Sequence, residues 1–154
     1  MTSATKTDRL RLRAEDGEDL TVLSTCLQDA LVAVRDIAYL PGERRLILVA
    51  NRFRWEGDRG QGERVLCGFA IDHVRAVRQQ GIDRTKPGTL LSILAVRLVG
   101  GSPSGGAVEI LFSSDATLRV EVDRLLAHVE DIREPYPTSW RPHHPLDDPA
   151  TGAS

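Results

Sequence analysis

The segment from Val32 to Glu56, VAVRDIAYLPGERRLILVANRFRWE, constrains the fold of this chain more than any other. It contains two apolar runs on either side of residues 40–43 (LPGE), and Pro followed by Gly favours a tight turn because proline presets φ and glycine accepts positive φ. The pattern predicts two strands, over about 31–39 and 44–55, joined as a hairpin. Residues 46–49 are apolar without alternation, which predicts a central strand covered on both faces at its start.

The rest of the chain continues this strand-rich pattern. Alternation or short apolar runs predict further strands at 9–13, 64–79, 90–99, 107–113 and 117–122. Apolar residues at helical spacing predict one helix over 16–28 and a C-terminal amphipathic helix over 123–133. The apolar phase of the 64–79 strand changes at Asp72-His73, which predicts a β-bulge or a sharp bend.

These elements predict an α+β fold. We expect a single bent antiparallel sheet of about six or seven strands, with the N-terminal and C-terminal helices packed on it, in a pleckstrin-homology-like arrangement. Residues 9–133 should form one globular domain. Residues 134–154 contain five of the eight prolines, which predicts a Pro-rich tail that is partly disordered.

Charge and cysteine content narrow the functional classes. The formal net charge is −2 and the pI is about 6.1, so no overall basic field favours nucleic-acid binding. The two cysteines, Cys26 and Cys67, are too few for a disulfide framework or a four-ligand zinc site, and both are predicted to be core residues. The N-terminus lacks the apolar run of a signal peptide, and no stretch has the ~20 apolar residues of a membrane span. We therefore expect a cytoplasmic protein.

Four segments resemble a known bacterial family. They are LRAED-x-EDL-x-VLS-x-x-LQDA at 12–30, AYLPGERRLILVANRFRWE at 38–56, DHVRAVRQQGID at 72–83 and LLSILAV at 90–96. The chain is similar, over most of residues 9–133, to the family known as domain of unknown function 2948. The resemblance implies a compact bacterial domain and carries over no catalytic residue.

The segment NRFRWE, which ends the predicted hairpin, is the candidate binding surface. Alternation predicts Arg52 and Arg54 on one face, about 7 Å apart, and Phe53 and Trp55 on the other. Together with Arg75 on a neighbouring strand, the arginines would bind an anion, and the aromatic rings would stack a base or an aromatic ligand. The alternative is structural: the two rings close one end of the core, and the arginines pair with acidic residues across the strand.

Other motifs favour structure over chemistry. The Gly-rich residues 100–106 precede a strand, so they indicate a hairpin connection and not a phosphate site at a helix N-terminus. His143 and His144 indicate tail polarity and not a metal site. Asp72 and His73 are adjacent on a strand, so their side chains should point to opposite faces unless a bulge turns them. We expect no metal and no cofactor.

These observations favour a non-enzymatic binding or protein-interaction module, with an unknown protein or a small anionic ligand as its partner. The alternative is a small enzyme or ligand-binding protein that acts on an anionic metabolite through an Arg-lined pocket. A concave pocket with an acid or base beside the arginines would favour this alternative. If Arg52 and Arg54 instead point into open solvent or form salt bridges, this alternative loses its site.

Overall fold

The computed structural model describes residues 9–53, 63–100, 106–132 and 136–137. They contain one α-helix, α1 (Gly17–Leu27), and 3₁₀ turns at Val34–Asp36 and Pro41–Glu43. The remaining elements are strands: β1 (Arg11–Ala14), β2 (Leu31–Ala33), β3 (Ile37–Leu40), β4 (Arg45–Phe53), β5 (Glu63–Ile71), β6 (Val74–Gln80), β7 (Leu90–Val99), β8 (Gly106–Phe112), β9 (Thr117–Val122), β10 (Ala127–Asp131) and β11 (Tyr136–Pro137).

The described strands form one antiparallel arrangement, in the order β1-β10-β5-β4-β2-β7-β8-β9-β6, while β3 pairs with β4 and β11 pairs with β5. β5 and β6 are two halves of a bent strand, since β5 pairs with β4 and β10 and β6 pairs with β9. The bend lies at Asp72-His73, where His73 adopts a φ of 59°. The sheet therefore folds over and encloses its inner face.

That inner face carries the hydrophobic core. Burial alternates along β4, so Leu46, Leu48 and Ala50 are buried while the residues between them are partly exposed. α1 covers one side of this core by packing against β7, β1 and β4. Its contribution comes from residues at helical spacing, namely Leu20, Leu23 and Leu27, which are all buried.

The start of α1 agrees with its sequence signature. The Asp16 carboxylate accepts a hydrogen bond of 2.8 Å from the Asp19 backbone N–H, as expected of an N-cap residue. Glu18 and Asp19 lie in the first turn, where the helix dipole favours negative charge. The predicted helix over 16–28 is therefore confirmed, with its ends one residue shorter.

The predicted α+β fold is wrong in two respects. The described residues form an eleven-stranded arrangement with a single helix, and not a six- or seven-stranded sheet with two helices. Residues 127–131, predicted as part of the C-terminal helix 123–133, form β10 between β1 and β5. The pleckstrin-homology-like arrangement, which the C-terminal helix suggested, is therefore not retained.

The physical reason lies in two patterns. A helical period fits the apolar residues Val122, Leu125, Val129 and Ile132. In β10 every second residue faces the core instead. Because one of these inward residues is the polar Asp131, the apolar alternation of a strand is not visible in the sequence. The strand count rose because two predicted strands are divided and because β10 and β11 were not predicted. The segment 31–39 is interrupted by a 3₁₀ turn, and the predicted bend divides 64–79 into β5 and β6.

Residues 90–99 form the predicted strand, which lies between β2 and β8. The predicted coverage of β4 on both faces at its start is wrong, because Ile47 and Val49 are partly exposed. The hairpin of β8 and β9 turns through Ser114 and Asp115, and both residues have positive φ. The predictions for residues 54–62, most of the loop at 100–106, and the tail beyond residue 137 lie outside the described residues.

Candidate functional site

Arg52 lies inside the protein. It follows Leu46, Leu48 and Ala50 on the inner face of β4, and only 1% of its surface is exposed. Its guanidinium donates two hydrogen bonds to Asp131 of β10, from Nε to Oδ1 at 3.1 Å and from Nη2 to Oδ2 at 3.1 Å. The pair is bidentate, the strongest form of this contact. Arg52 is thus engaged in a buried salt bridge instead of an exposed patch.

Further hydrogen bonds fix this buried pair within the sheet. Asp131 Oδ2 also accepts a 2.8 Å hydrogen bond from the backbone N–H of Leu10, beside β1. Arg52 Nη1 donates to the carbonyl of Phe53 at 3.1 Å. Because a buried charge is tolerated only when it is paired and hydrogen-bonded, this arrangement satisfies Arg52 while joining β4, β10 and the start of β1.

Cys67 lies next to the pair, directly opposite Asp131 on β5. Burial raises the pKa of its thiol to about 12, against the smaller lowering effect of the Arg52 charge. A thiol that stays protonated is a poor nucleophile. Cys67 is therefore a core residue, as predicted.

The structure does not assemble the predicted cluster of Arg52, Phe53 and Arg75. Phe53 lies on the outer face of β4, partly exposed, with the Arg64 guanidinium 3.8 Å from its ring centroid. Arg75 lies at the opposite end of the sheet, where it pairs with Asp123 at 3.4 Å. The residue before Arg75, Val74, bonds to Arg44 at the start of β4, and Arg52 lies roughly 26 Å further along that strand at 3.3 Å per residue. Arg54 and Trp55 lie outside the described residues.

The predicted faces of β4 are therefore reversed at residues 52 and 53. The arginine faces the core, and the aromatic ring faces outward. The apolar run before them does not alternate, so it does not indicate which residues face the core. The partner of Arg52 lies 79 positions away in the sequence, so no nearby residue indicates that Arg52 faces inward.

A groove crosses the outer face of β4, β5 and β10 on the other side of the same strands. Its volume is about 390 Å³. Its floor is low because Gly68 has no side chain and Ala70 has a small one, and the apolar walls are Ile47 and Ile132. We call this the outer-face groove, and its lining consists of Arg9, Ile47, Gly68, Phe69, Ala70, His128, Glu130, Asp131 and Ile132.

The charges around the outer-face groove are mostly paired. Glu130 lies opposite Arg11 in the ladder and 3.5 Å from its Nε. Arg9, at the mouth, is exposed and has no ion-pair partner within the described part of the chain. The groove thus offers an apolar floor beside one unpaired cation.

His128 and Asp72 form the titratable part of this region. His128 Nδ1 lies 3.7 Å from Asp72 Oδ2, and Asp72 Oδ1 accepts a 2.7 Å hydrogen bond from Arg45 Nε. That hydrogen bond raises the pKa of the Arg45 guanidinium above its ordinary value. The Asp72 carboxylate thus contacts Arg45 and His128. The neighbouring His73 has a left-handed backbone at the bend and is not its ion-pair partner among the described residues.

Sequence reasoning missed this groove. Gly68 and Ala70 would have been the signal, because small residues at alternate positions of a strand mark a place where another chain or ligand can approach. Across 9–53, 63–100, 106–132 and 136–137, no three His, Cys, Asp or Glu side chains are grouped closely enough to hold a metal ion. The described helices include none with the length and apolarity needed to cross a membrane.

The fold and groove define a class of protein: an antiparallel β domain, with one α-helix in its described residues and a shallow groove of apolar and charged residues on the outer face of its sheet. The model of the family described as "Protein of unknown function (DUF2948)" matches residues 10–144, and the chain belongs to this family. The resemblance predicted from sequence is thereby confirmed. No curated protein and no solved structure matches the chain.

Proposed function

We propose that this protein is a non-enzymatic binding module that holds a segment of a partner protein in the outer-face groove. The observation that carries the proposal is the groove floor. Gly68 and Ala70 leave the strand surface low between Ile47 and Ile132, and Ile132 is 49% exposed. Exposed apolar surface with a polar rim is typical of protein interaction sites.

The charges favour one kind of occupant. Arg11 and Arg45 are already paired, with Glu130 and Asp72, whereas Arg9 has no ion-pair partner among the described residues. A carboxylate on the partner would complement Arg9, and an apolar side chain would cover Gly68. The proposed occupant is therefore an extended segment of a protein that presents an apolar residue close to an acidic one.

Photo-crosslinking tests the location of the occupant. A benzoylphenylalanine is placed at Ile132, in the groove, and in a separate variant at Leu94 on β7, which is 50% exposed. The two sites match in exposure and apolar character. We expect a discrete adduct with one protein from position 132 in cells of the native host, and none from position 94.

A blocking substitution tests whether the groove itself is used. A Cβ at Gly68 would lie 3.9 Å from Ile132 Cδ1, so a side chain fits there without strain but fills the floor. Gly68→Val should abolish the adduct from position 132. The control Gly42→Val places the same side chain where no atom lies within 4 Å, and should leave the adduct intact. An adduct that survives Gly68→Val contradicts the proposal.

One observation favours a second candidate, a small enzyme or binding protein for an anionic metabolite. His128 lies in the groove with Asp72 near its Nδ1, a geometry in which the imidazole can act as a base toward a ligand held by Arg9. A thermal-shift screen of metabolites tests it, since a ligand at 100 times its Kd stabilises a protein by about 2.7 kcal/mol. A hit that Arg9→Ala removes, with turnover lost in His128→Gln, would replace the protein-binding proposal.

A further inference from the structure

Besides the outer-face groove, the described strands leave a gap in the sheet between β3 and β6, where two strand edges are not paired with each other. β3 pairs only with β4, and β6, which ends the strand order, pairs only with β9 among the described strands. We call the space between them the β3–β6 seam, bounded by Ile37–Leu40 on one side and Val74–Gln80 on the other.

Hydrogen bonds join the two sides of the seam at its ends. At one end the Val74 N–H donates to the Arg44 carbonyl at 3.0 Å, and Arg44 Nε donates to the Val74 carbonyl at 3.3 Å. At the other end Arg84 Nη2 donates to the Ile37 carbonyl at 3.1 Å. Between these ends, no hydrogen bond joins residues 38–40 to residues 75–80 in the described chain.

The inner surface opens toward solvent along β6. Val74 is buried, Val77 is partly exposed, and Gln79 is exposed although it lies opposite the buried Leu118. Across the seam, Tyr39 lies opposite the buried Leu46 and packs on the core, yet it is only partly buried. An apolar side chain entering between Val77 and Tyr39 would therefore extend the core.

The other open side of the core is covered by α1, which packs between β7 and β1. At the β3–β6 seam, the loop after β6 closes one end, where Ile82 is buried in the core and Arg84 reaches β3. No helix of the described residues covers the rest of the seam. An open strand edge presents alternate N–H and C=O groups, and an extended peptide satisfies them by adding a strand.

The charged residues along the seam indicate which kind of peptide would fit there. Arg44 and Arg75 both bind the single carboxylate of Asp123, which leaves N–H donors of both guanidiniums unused. Arg78 is 72% exposed and pairs with Glu121 on β9, the side away from the seam. The three arginines are thus paired with only two carboxylates, those of Asp123 and Glu121. This excess of positive charge on the exposed side of β6 complements an acidic strand.

We propose that the edge of β6 left unpaired by the described strands binds an extended acidic segment of a partner protein, which adds a strand to the sheet in the β3–β6 seam. The register shift between Val74 and Ala76 disturbs the beginning of β6, so pairing should run along Ala76–Gln80. This surface is separate from the outer-face groove. It gives Arg75, a candidate binding residue from the sequence, a role that does not involve Arg52.

Selection from a random library of twelve-residue peptides against the full chain tests the proposal. We expect enrichment of sequences that alternate acidic and β-branched residues. In the isotope-labelled protein, such a peptide should shift the backbone amide resonances of residues 76–80 and 38–40. A copy of the peptide that is N-methylated at alternate residues should not bind, because it cannot form the ladder.

A matched pair of variants tests the charge. Arg75→Ala/Arg78→Ala should weaken the selected peptide about tenfold, as two exposed ion pairs allow. Arg97→Ala removes an exposed arginine of the distant strand β7, which is paired with Glu109, and should leave the affinity unchanged.

The proposal is overturned if no peptide is enriched, or if the shifts map elsewhere. Shifts confined to the outer-face groove would support the proposed function and reject the seam. Dimerisation that the Arg75/Arg78 variant abolishes would identify a second copy as the occupant and also overturn it.

Discussion

Glu130 and Asp131 are consecutive residues of β10, and each forms an ion pair with an arginine on another strand. The Glu130–Arg11 pair lies on the outer face, at 3.5 Å, with side chains 58% and 77% exposed. The Asp131–Arg52 pair lies on the inner face, at 3.1 Å, with both side chains at most 2% exposed. Because neighbouring residues of a strand point to opposite faces, two ion pairs of the same type lie in different dielectric environments, one in solvent and one in the core.

The difference separates the face of the sheet that is sealed from water from the face that solvent reaches. The inner pair is removed from water, so each charge needs the other, and neither is accessible to a ligand. The outer pair is screened by solvent and contributes little to stability, so a partner can rearrange it at small cost. Arg52 therefore serves the fold, and the residues around Glu130 remain accessible for the proposed binding.

The largest expected effect is the removal of one inner partner. Arg52→Ala leaves Asp131 buried and unpaired, and should lower the free energy of unfolding by about 3–5 kcal/mol. Urea denaturation followed by circular dichroism measures the change. Asp131→Ala should have a similar effect for the same reason. A loss below about 1 kcal/mol in both variants would mean that the pair is solvated and that the contrast fails.

Alkaline pH gives a second test of the inner face, through Cys67. Its pKa is raised to about 12 in the folded protein from 9.0, so the unfolded state loses this proton first and stability falls as the pH rises above 9. Between pH 8 and 10 the wild type should lose about 1 kcal/mol more than Cys67→Ala. Cys26 is present in both proteins, so the difference reports on Cys67. Equal slopes would contradict the burial of this thiol beside the ion pair.

The smallest effect belongs to the outer pair. Arg11→Ala and Glu130→Gln should each change the free energy of unfolding by less than about 1 kcal/mol, and the change should shrink further in high salt. The same urea titrations, repeated at two salt concentrations, provide the measurement. A cost comparable to that of Arg52→Ala would show that burial does not govern the difference between the pairs.

Local signals were sufficient for local structure. Apolar residues at helical spacing marked α1, Pro41-Gly42 marked a turn, and the phase change at Asp72-His73 marked the bend between β5 and β6. Each of these features depends on neighbours within a few residues.

Long-range pairing decided what the sequence alone could not. Residues 127–131 fit a helical period, yet they form a strand because β1 and β5 provide ladders on both sides. Arg52 was assigned to the wrong face because Asp131, the residue that stabilises it, is distant in sequence. The outer-face groove was missed for a related reason: Gly68 becomes a floor only when Ile47 and Ile132 stand on either side of it.

A double-mutant cycle on Arg52→Met and Asp131→Leu tests most directly whether Arg52 serves the fold from within. Replacing both partners removes both buried charges, so the double variant should be far more stable than the sum of the two single losses predicts. We expect a coupling energy above about 2 kcal/mol between the two positions. Additive losses, with coupling near zero, would show that Arg52 and Asp131 do not form a buried pair and would return Arg52 to the candidate binding surface.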